Sequence, residues 1–202
     1  TSADPNVLAI RISELIRTAQ TALTDYAHSR PSLFNDIPPL LRAVSPLAEG
    51  TDRLFADVAL DAGSELCAVL PFPQTEFEND FLPQHALESA SVERFRALLS
   101  RATTVYQLDG QRTDAPRAYH VAGTVVLNQS DLLIVVWDGE RRHLRGGTEE
   151  TFDQAVQRGV PVVWVDAHAP HHWQMVTRPL HTHTSTRPDQ RLEVTHSSSL
   201  RD

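Results

Sequence analysis

The loop at residues 137–150, WDGERRHLRGGTEE, places two glycines and a threonine at the start of a predicted helix. Successive backbone N–H groups, a helix N-terminus and a hydroxyl group together favour an anion such as a phosphate. Three arginines add positive charge to this loop: Arg141, Arg142 and Arg145. The candidate ligand-binding residues are Asp138, Gly139, Arg145, Gly146, Gly147, Thr148 and Glu149. The alternative is a flexible surface loop with solvated arginines.

A second loop, SPLAEGTD at residues 45–52, also joins a predicted strand to a helix. Gly50 allows close approach of a phosphate, and either Thr51 or Asp52 is predicted to cap the helix. The candidate ligand-binding residues here are Ser45, Glu49, Gly50, Thr51 and Asp52. The alternative is a simple capped turn that binds no ligand.

A third stretch, from Pro71 to Ala90, is polar, acidic and long for a connection inside a compact domain. Such connections are often functional lids. Its carboxylates could contact ribose hydroxyls or act as acid and base. They lie around two aromatic residues in the order Glu76, Phe77, Glu78, Asp80 and Phe81. The alternative is solvated charge around two anchoring aromatic side chains.

Alternating helical and strand patterns from about residue 6 to residue 167 predict an α/β, Rossmann-like three-layer fold with a mostly parallel central sheet. The predicted helices lie at about 6–27, 51–63, 91–102, 115–130 and 148–159. The predicted strands lie at about 40–44, 66–72, 103–108, 131–139 and 160–167. Residues 1–167 are predicted to form one domain, and residues 168–202, rich in His, Thr, Ser and Arg, an extension. Ligands bind outside the carboxyl ends of parallel strands, which is where these loops fall.

Composition excludes several function classes. The formal charge is −8, which argues against a nucleic-acid partner, and all 18 basic residues are arginine. A phosphate-loop lysine, Schiff-base chemistry and a lysine general base are therefore excluded, whereas arginine suits bidentate phosphate contacts.

Other features of the composition bear on location and cofactors. The sequence has no apolar run long enough to span a membrane and no basic stretch followed by an apolar one at its start. We therefore expect neither a membrane span nor a secretory signal. The single cysteine, Cys67, lies in an apolar run, which predicts a core residue in a reducing, cytoplasmic compartment. The histidines at 168, 171 and 172 lack a partner at metal-ligand spacing, so neither a metal nor a cofactor is expected.

The order of motifs resembles the SLOG superfamily, which is named for DNA-processing Smf proteins and "lonely guy" (LOG) nucleotide hydrolases. The resemblance covers roughly residues 40–167 and runs from SPLAEGTDRLFADVALDAGSELCAVLPFP through EFENDF, FRALLSRA, DLLIVVWDG, RGGTEE and GVPVVWV. It is to the prokaryotic branch related to the sensor domains of TRPM channels. It implies binding of a nucleotide-derived signal, such as ADP-ribose or a cyclic nucleotide, in a bacterial conflict or defence system. It also implies a first strand, with its own glycine turn, ahead of the opening helix.

Three functions of different classes are compatible with these observations. The favoured one is a ligand sensor, expected to be a homo-oligomer that passes the signal to a separate effector protein. The alternative is a LOG-like N-glycosidic hydrolase of nucleoside monophosphates. The resemblance to LOG-type hydrolases implies a longer motif, PGGxGTxxE, in which the glutamate is catalytic. Thr151 stands at that position here, which leaves Glu149 and Glu150 as the candidate catalytic acids. A DNA-binding accessory role is disfavoured by the charge.

Overall fold

The computed structural model describes residues 4–34, 37–82, 89–143 and 145–177, together with a short strand at Val194–Thr195. The chain divides into two compact units. The N-terminal unit comprises residues 4–118, and the C-terminal unit begins at Tyr119.

The N-terminal unit is built on a parallel sheet with the strand order β1-β2-β3. Its strands are β1 (Arg42–Ser45), β2 (Glu65–Leu70) and β3 (Thr104–Gln107). Its helices are α1 (Pro5–Ser29), α2 (Thr51–Asp61), α3 (Gln74–Phe77) and α4 (Ala90–Ser100), with 3-10 turns at Glu78–Phe81 and Arg112–Asp114. Helix α5 (Ala115–Asn128) begins in this unit and continues into the next.

Burial explains the position of each strand in this sheet. In β2, every residue from Leu66 to Leu70 is buried, as expected for a central parallel strand, and Cys67 is a buried free thiol. In β3, by contrast, Val105, Tyr106 and Gln107 are exposed. The difference agrees with β2 lying between its neighbours and β3 lying at an edge.

The C-terminal unit contains a second sheet, with the order β4-β5-β6-β7. Its elements are β4 (Leu133–Trp137), α6 (Thr148–Arg158), β5 (Val162–Asp166), β6 (Trp173–Val176) and β7 (Val194–Thr195). Strands β4 and β5 are parallel, whereas β6 and β7 join antiparallel. Apolar residues of α5, α6 and the strands form the core, including Leu127, Val135, Phe152 and Val162. Helix α6 ends at Gly159, whose left-handed backbone (φ 75°) makes the C-cap.

The α/β class and each helix and strand predicted between residues 6 and 167 are confirmed, with ends shifted by a few residues. Parallel pairing is confirmed within β1-β2-β3 and between β4 and β5. Strand β6 was not predicted, and it lies in the segment interpreted as an extension. Within the described residues, no helix combines the length and apolar character needed to cross a membrane.

Candidate functional site

The predicted site residues form two groups, one in each unit. The first belongs to the β1–α2 loop (residues 46–50) and the residues beside it. The second belongs to the β4–α6 loop (residues 138–147) and the first turn of α6.

Ser45 organises the β1–α2 loop from the end of β1. Its buried hydroxyl donates to the carbonyl oxygen of Asp52 and accepts from the N–H of Leu47, both at 3.2 Å. Leu47 is fully buried with a left-handed backbone (φ 58°), a conformation that a branched apolar residue seldom adopts. The hydroxyl therefore holds the loop in shape, and its hydrogen-bonding capacity is used within the protein.

Arg53, which sequence reasoning missed, binds the same loop through a buried side chain. Its side chain is buried; Nε donates to the Leu47 carbonyl oxygen at 3.0 Å, and Nη1 donates to the carbonyl and hydroxyl oxygens of Ser91 at 2.8 Å. The Ser91 hydroxyl in turn donates to Glu49 Oε1 at 2.6 Å. The guanidinium lies 4.0 Å from the centre of the Phe81 ring, and its Nη2 is buried without a hydrogen-bond partner.

Helical spacing could have revealed Arg53. It stands three and six residues before Ala56 and Ala59, which form the buried face of α2. Burial lowers the pKa of Arg53, but a guanidinium stays protonated in proteins. The start of α2 therefore lies next to a buried positive charge.

The predicted cap of α2 is wrong. Gly50 is the N-cap, and no side chain caps the helix, so neither Thr51 nor Asp52 has that role. Gly50 has φ 97° and ψ −125°, which only glycine adopts readily, and an added Cβ would meet nothing within 4 Å. Gly50 is therefore favoured here by its backbone conformation, and not by a lack of room for a side chain.

Asp52 is half-buried in the first turn of α2. Burial raises its pKa to about 6, while a hydrogen bond from the Ala48 N–H and the charge of Arg53 act in the opposite direction. A carboxyl group of this kind changes charge close to neutral pH. Of the predicted site carboxyl groups with a shifted pKa, Asp52 is the one whose pKa is raised towards neutral.

An open pocket lies at the carboxyl ends of β2 and β3. It is lined by Pro73, Thr75, Glu76, Gly110, Gln111 and Arg112. A Cβ at Gly110 would lie 2.2 Å from the carbonyl oxygen of Pro71, so only glycine fits there. Sequence reasoning missed residues 110–112, although the Asp-Gly pair after β3 is a turn signal that could have found them.

The acidic residues of the third stretch are paired with arginines. Glu76 Oε1 accepts from Arg112 Nε at 2.8 Å, and Asp80 also contacts Arg112. Glu78 is buried and accepts from Arg96 at 2.7 Å, a contact that lowers its pKa.

The two aromatic residues of this stretch anchor it. Phe77 and Phe81 are buried, with ring centres 4.9 Å apart. Residues 74–81 thus form two helical turns that are held by aromatic packing. Residues 83–88 of the predicted lid lie outside the described part of the chain.

Carboxylates of α6 organise the β4–α6 loop. Glu149 Oε2 accepts the backbone N–H groups of Arg142 and His143, both at 2.8 Å. Glu150 accepts the N–H of Gly146 at 2.6 Å and lies 2.9 Å from His120 Nδ1. Burial acts to raise the pKa of both glutamates, but the hydrogen bonds and the neighbouring positive charges together outweigh it, and both pKa values are lowered. The candidate catalytic acids therefore hold the loop, and Glu150 takes up one N–H predicted to face a phosphate.

Two of the three loop arginines are neutralised by neighbours. Arg141 pairs with Asp153 at 2.8 Å, and Arg142 pairs with Asp138 at 2.7 Å. The hydrogen bond from Arg142 is the main cause of the lowered pKa of Asp138. Arg145 is exposed and forms no ion pair with a described residue, although its charge contributes to the lowered pKa of Glu150.

The predicted cap of α6 is also wrong. Gly147 is the N-cap without a side-chain hydrogen bond, and Thr148 is exposed. Gly146 has φ 80°, and Gly139 has φ 78° with an added Cβ 3.3 Å from the Trp164 ring. The positive φ therefore favours glycine at both 139 and 146.

Among the described residues, no cluster of three or more His, Cys, Asp or Glu side chains could hold a metal ion. No protein-family model matches the chain, and no curated protein matches it in sequence.

Proposed function

We propose that this chain is a SLOG-type, Rossmann-like domain that binds a phosphorylated, nucleotide-derived ligand and acts as a sensor. One observation carries the proposal: the carboxyl edge of the parallel sheet β1-β2-β3 bears both a glycine-capped helix N-terminus and an open polar pocket. Ligands of open parallel sheets bind at that edge. The two features suit the phosphate and the nucleoside parts of one ligand.

The phosphate is proposed to bind at the start of α2. Backbone N–H groups of the first turn have no partner within a helix, and Gly50, which precedes them, has no atom within 4 Å of where its Cβ would lie. The buried guanidinium of Arg53 adds positive potential there. Ser45 and Leu47 fix the loop, which lowers the entropy cost of binding.

The nucleoside is proposed to bind in the pocket after β2 and β3. Glu76 and Gln111 offer oxygen acceptors for ribose hydroxyls, and Thr75 offers a hydroxyl. Arg112 lines this pocket, and its position is held by the ion pair with Glu76 and by the Phe72 ring, whose centre lies 4.6 Å from the guanidinium.

The β4–α6 loop is proposed as a second anion-binding element. Its N–H groups at Gly147 and Thr148 and the exposed Arg145 favour a phosphate. To use Gly146 as well, an anion must displace Glu150 from its N–H. We expect this element to bind more weakly than the start of α2.

N-glycosidic hydrolysis is the second candidate function, and Asp52 is the observation that favours it. A carboxyl group with a pKa of about 6 suits proton transfer near neutral pH. Glu149 and Glu150 fit that role less well because loop contacts hold them ionised.

A ligand screen with two matched variants tests the proposal. AMP, ADP-ribose, cyclic ADP-ribose, NAD and cyclic dinucleotides are added to the protein, and a ligand of the folded state raises its melting temperature. Calorimetry then compares Gly50→Asp with Gly63→Asp. Both glycines have a positive φ and open space at Cβ, but Gly63 follows the opposite end of α2. We expect Gly50→Asp to abolish binding and Gly63→Asp to retain it; equal affinities, or no ligand at all, would contradict the proposal.

A turnover assay separates sensor from hydrolase. The protein is incubated with AMP, ADP-ribose and NAD, and free base is followed by chromatography. A sensor returns the ligand intact. Many turnovers per protein, lost in Asp52→Asn, Glu149→Gln or Glu150→Gln, would establish the hydrolase.

A further inference from the structure

The open pocket at the carboxyl ends of β2 and β3 contains polar groups that the protein does not use. Its volume of about 400 Å³ is typical of small-molecule sites. The Thr75 hydroxyl, the Gln111 amide and Oε2 of Glu76 form no hydrogen bond with a described residue. The carboxylate oxygen accepts hydrogen bonds, whereas the hydroxyl and the amide both donate and accept them. A ligand in this pocket therefore meets free hydrogen-bonding groups.

The cation of the pocket, in contrast, is already bound. Arg112 is the only basic residue that lines it, and its Nε donates to Glu76 Oε1 at 2.8 Å. Nη2 donates to the Glu76 carbonyl oxygen at 2.6 Å, and Nη1 donates to Asp80. Two carboxylates thus share one guanidinium, which leaves an excess of negative charge and no unused guanidinium nitrogen for a phosphate.

This combination favours one kind of chemical group. A carboxylate accepts hydrogen bonds from hydroxyl groups, and it repels phosphate oxygens. A ribose with free 2′- and 3′-hydroxyls supplies two adjacent donors for Glu76 and Gln111. A ribose with a phosphate on either hydroxyl brings negative charge against Glu76, and a 2′-deoxyribose lacks one donor.

We propose that Glu76 makes the site selective for nucleotides whose ribose 2′,3′-diol is free. Nucleotides with a phosphate on the 2′- or 3′-hydroxyl, among them 3′,5′-cyclic nucleotides and cyclic dinucleotides, are then rejected. This inference rests on the proposed function, because it takes the nucleoside to bind in this pocket. It narrows the ligand class to 5′-phosphorylated ribonucleotides, which include AMP, ADP-ribose and NAD.

Calorimetry with matched nucleotides tests this selectivity. The probes are AMP, 2′-deoxy-AMP, adenosine 2′,5′-bisphosphate and adenosine 3′,5′-bisphosphate, all of which keep the 5′-phosphate. We expect the parent protein to bind AMP at least about tenfold more tightly than each of the other three, because the analogues leave a charged acceptor unpaired or repel it.

Two charge-neutralising variants assign the selectivity to Glu76. In Glu76→Gln we expect AMP affinity to fall about tenfold and bisphosphate affinity not to fall, so that the preference for AMP over the bisphosphates drops below about threefold. Glu65→Gln is the matched control. Glu65 lies at the opposite end of β2 and also binds one arginine, Arg42, at 2.9 Å, so this variant should keep the preference of the parent. Circular dichroism melting confirms that both variants fold.

The outcomes separate this inference from the proposed function. Equal parent affinities for AMP and either 2′-deoxy-AMP or the bisphosphates would overturn the inference and leave the proposed function standing. A preference that persists in Glu76→Gln would also overturn it. Failure of AMP to bind would do the same, whereas the proposed function fails only if no nucleotide of the wider ligand screen binds.

Discussion

The β1–α2 and β4–α6 loops each lead from a parallel strand into a helix with a glycine N-cap. Each also contains a non-glycine residue with a left-handed backbone, Leu47 in the first loop and His143 in the second. In both, a side-chain oxygen accepts the N–H of that residue: the Ser45 hydroxyl for Leu47 and the Glu149 carboxylate for His143. The residue with the left-handed backbone is thus held by a neutral hydroxyl group in the β1–α2 loop and by an ionised carboxylate in the β4–α6 loop.

The two helix starts consequently differ in electrostatics. The first turn of α6 carries two ionised carboxylates that already satisfy N–H groups of the preceding loop. The first turn of α2 carries Asp52, with a raised pKa, above the buried Arg53. The first turn of α2 thus carries one carboxyl group beside a buried cation, whereas the first turn of α6 carries two carboxylates. For this reason we propose that the phosphate binds at α2. Stability of the two loops should also respond differently to substitution and to pH.

The largest difference is expected for the arginines. Arg53→Ala removes hydrogen bonds to Leu47 and Ser91 and leaves a cavity beside Phe81, so it should cost about 2 to 4 kcal/mol. Arg141→Ala removes an exposed pair with Asp153 and should cost less than about 1 kcal/mol. Urea denaturation of both variants measures the contrast. Equal losses would show that the first loop does not depend on its buried cation.

The pH dependence of Asp52 gives the next effect. Its folded pKa is raised to about 6, so its favourable contribution is complete below its unfolded pKa and is lost as pH rises through about 6. Asp52→Asn should therefore be more stable than the parent by about 1 to 3 kcal/mol near pH 8, with the gain vanishing near pH 4. Denaturation at both pH values measures it.

Glu149 and Glu150 in the β4–α6 loop should change stability with pH in the opposite direction to Asp52. Their folded pKa values are lowered, so their contribution is present above the ordinary value of 4.5 and is lost as pH falls through the folded value. If Asp52→Asn lost stability near pH 8, the contrast between the loops would fail.

A local effect is expected from Glu149→Ala. Loss of the carboxylate leaves the N–H groups of Arg142 and His143 without their acceptor, so their hydrogen exchange should accelerate about tenfold. Glu140→Ala, which removes an exposed partner of Arg142, serves as the control and should leave exchange at His143 unchanged. Uniform acceleration across the unit would indicate global destabilisation rather than a loop contact.

Apolar patterns predicted the elements well because the sequence reflects which residues are buried: one face of α1, and both faces of the central strand β2. The caps were predicted wrongly because the local pattern around Thr51 and Thr148 is equally compatible with a glycine cap one residue earlier. The roles of Arg53, Glu149 and Glu150 depend on contacts with Ser91, backbone N–H groups and His120. Spacing along α2 indicates that Arg53 is buried, but it does not reveal the partners that any of these side chains binds.

The smallest effect is expected at Thr148, and it tests the glycine caps directly. Because the Thr148 hydroxyl does not cap α6, Thr148→Ala should change stability by less than about 0.5 kcal/mol. Ser89 provides the matched control, since its hydroxyl accepts the N–H of Val92 at the start of α4 at 3.1 Å; Ser89→Ala should cost about 1 kcal/mol. Should the β4–α6 loop bind a phosphate, Thr148→Ala would weaken ligand binding about fivefold to tenfold while leaving the melting temperature of the free protein unchanged. Calorimetry with the best ligand of the screen, beside denaturation of both variants, separates these roles. Equal losses of stability in the two variants would restore Thr148 as a cap, and unchanged affinity would confine the phosphate to the start of α2.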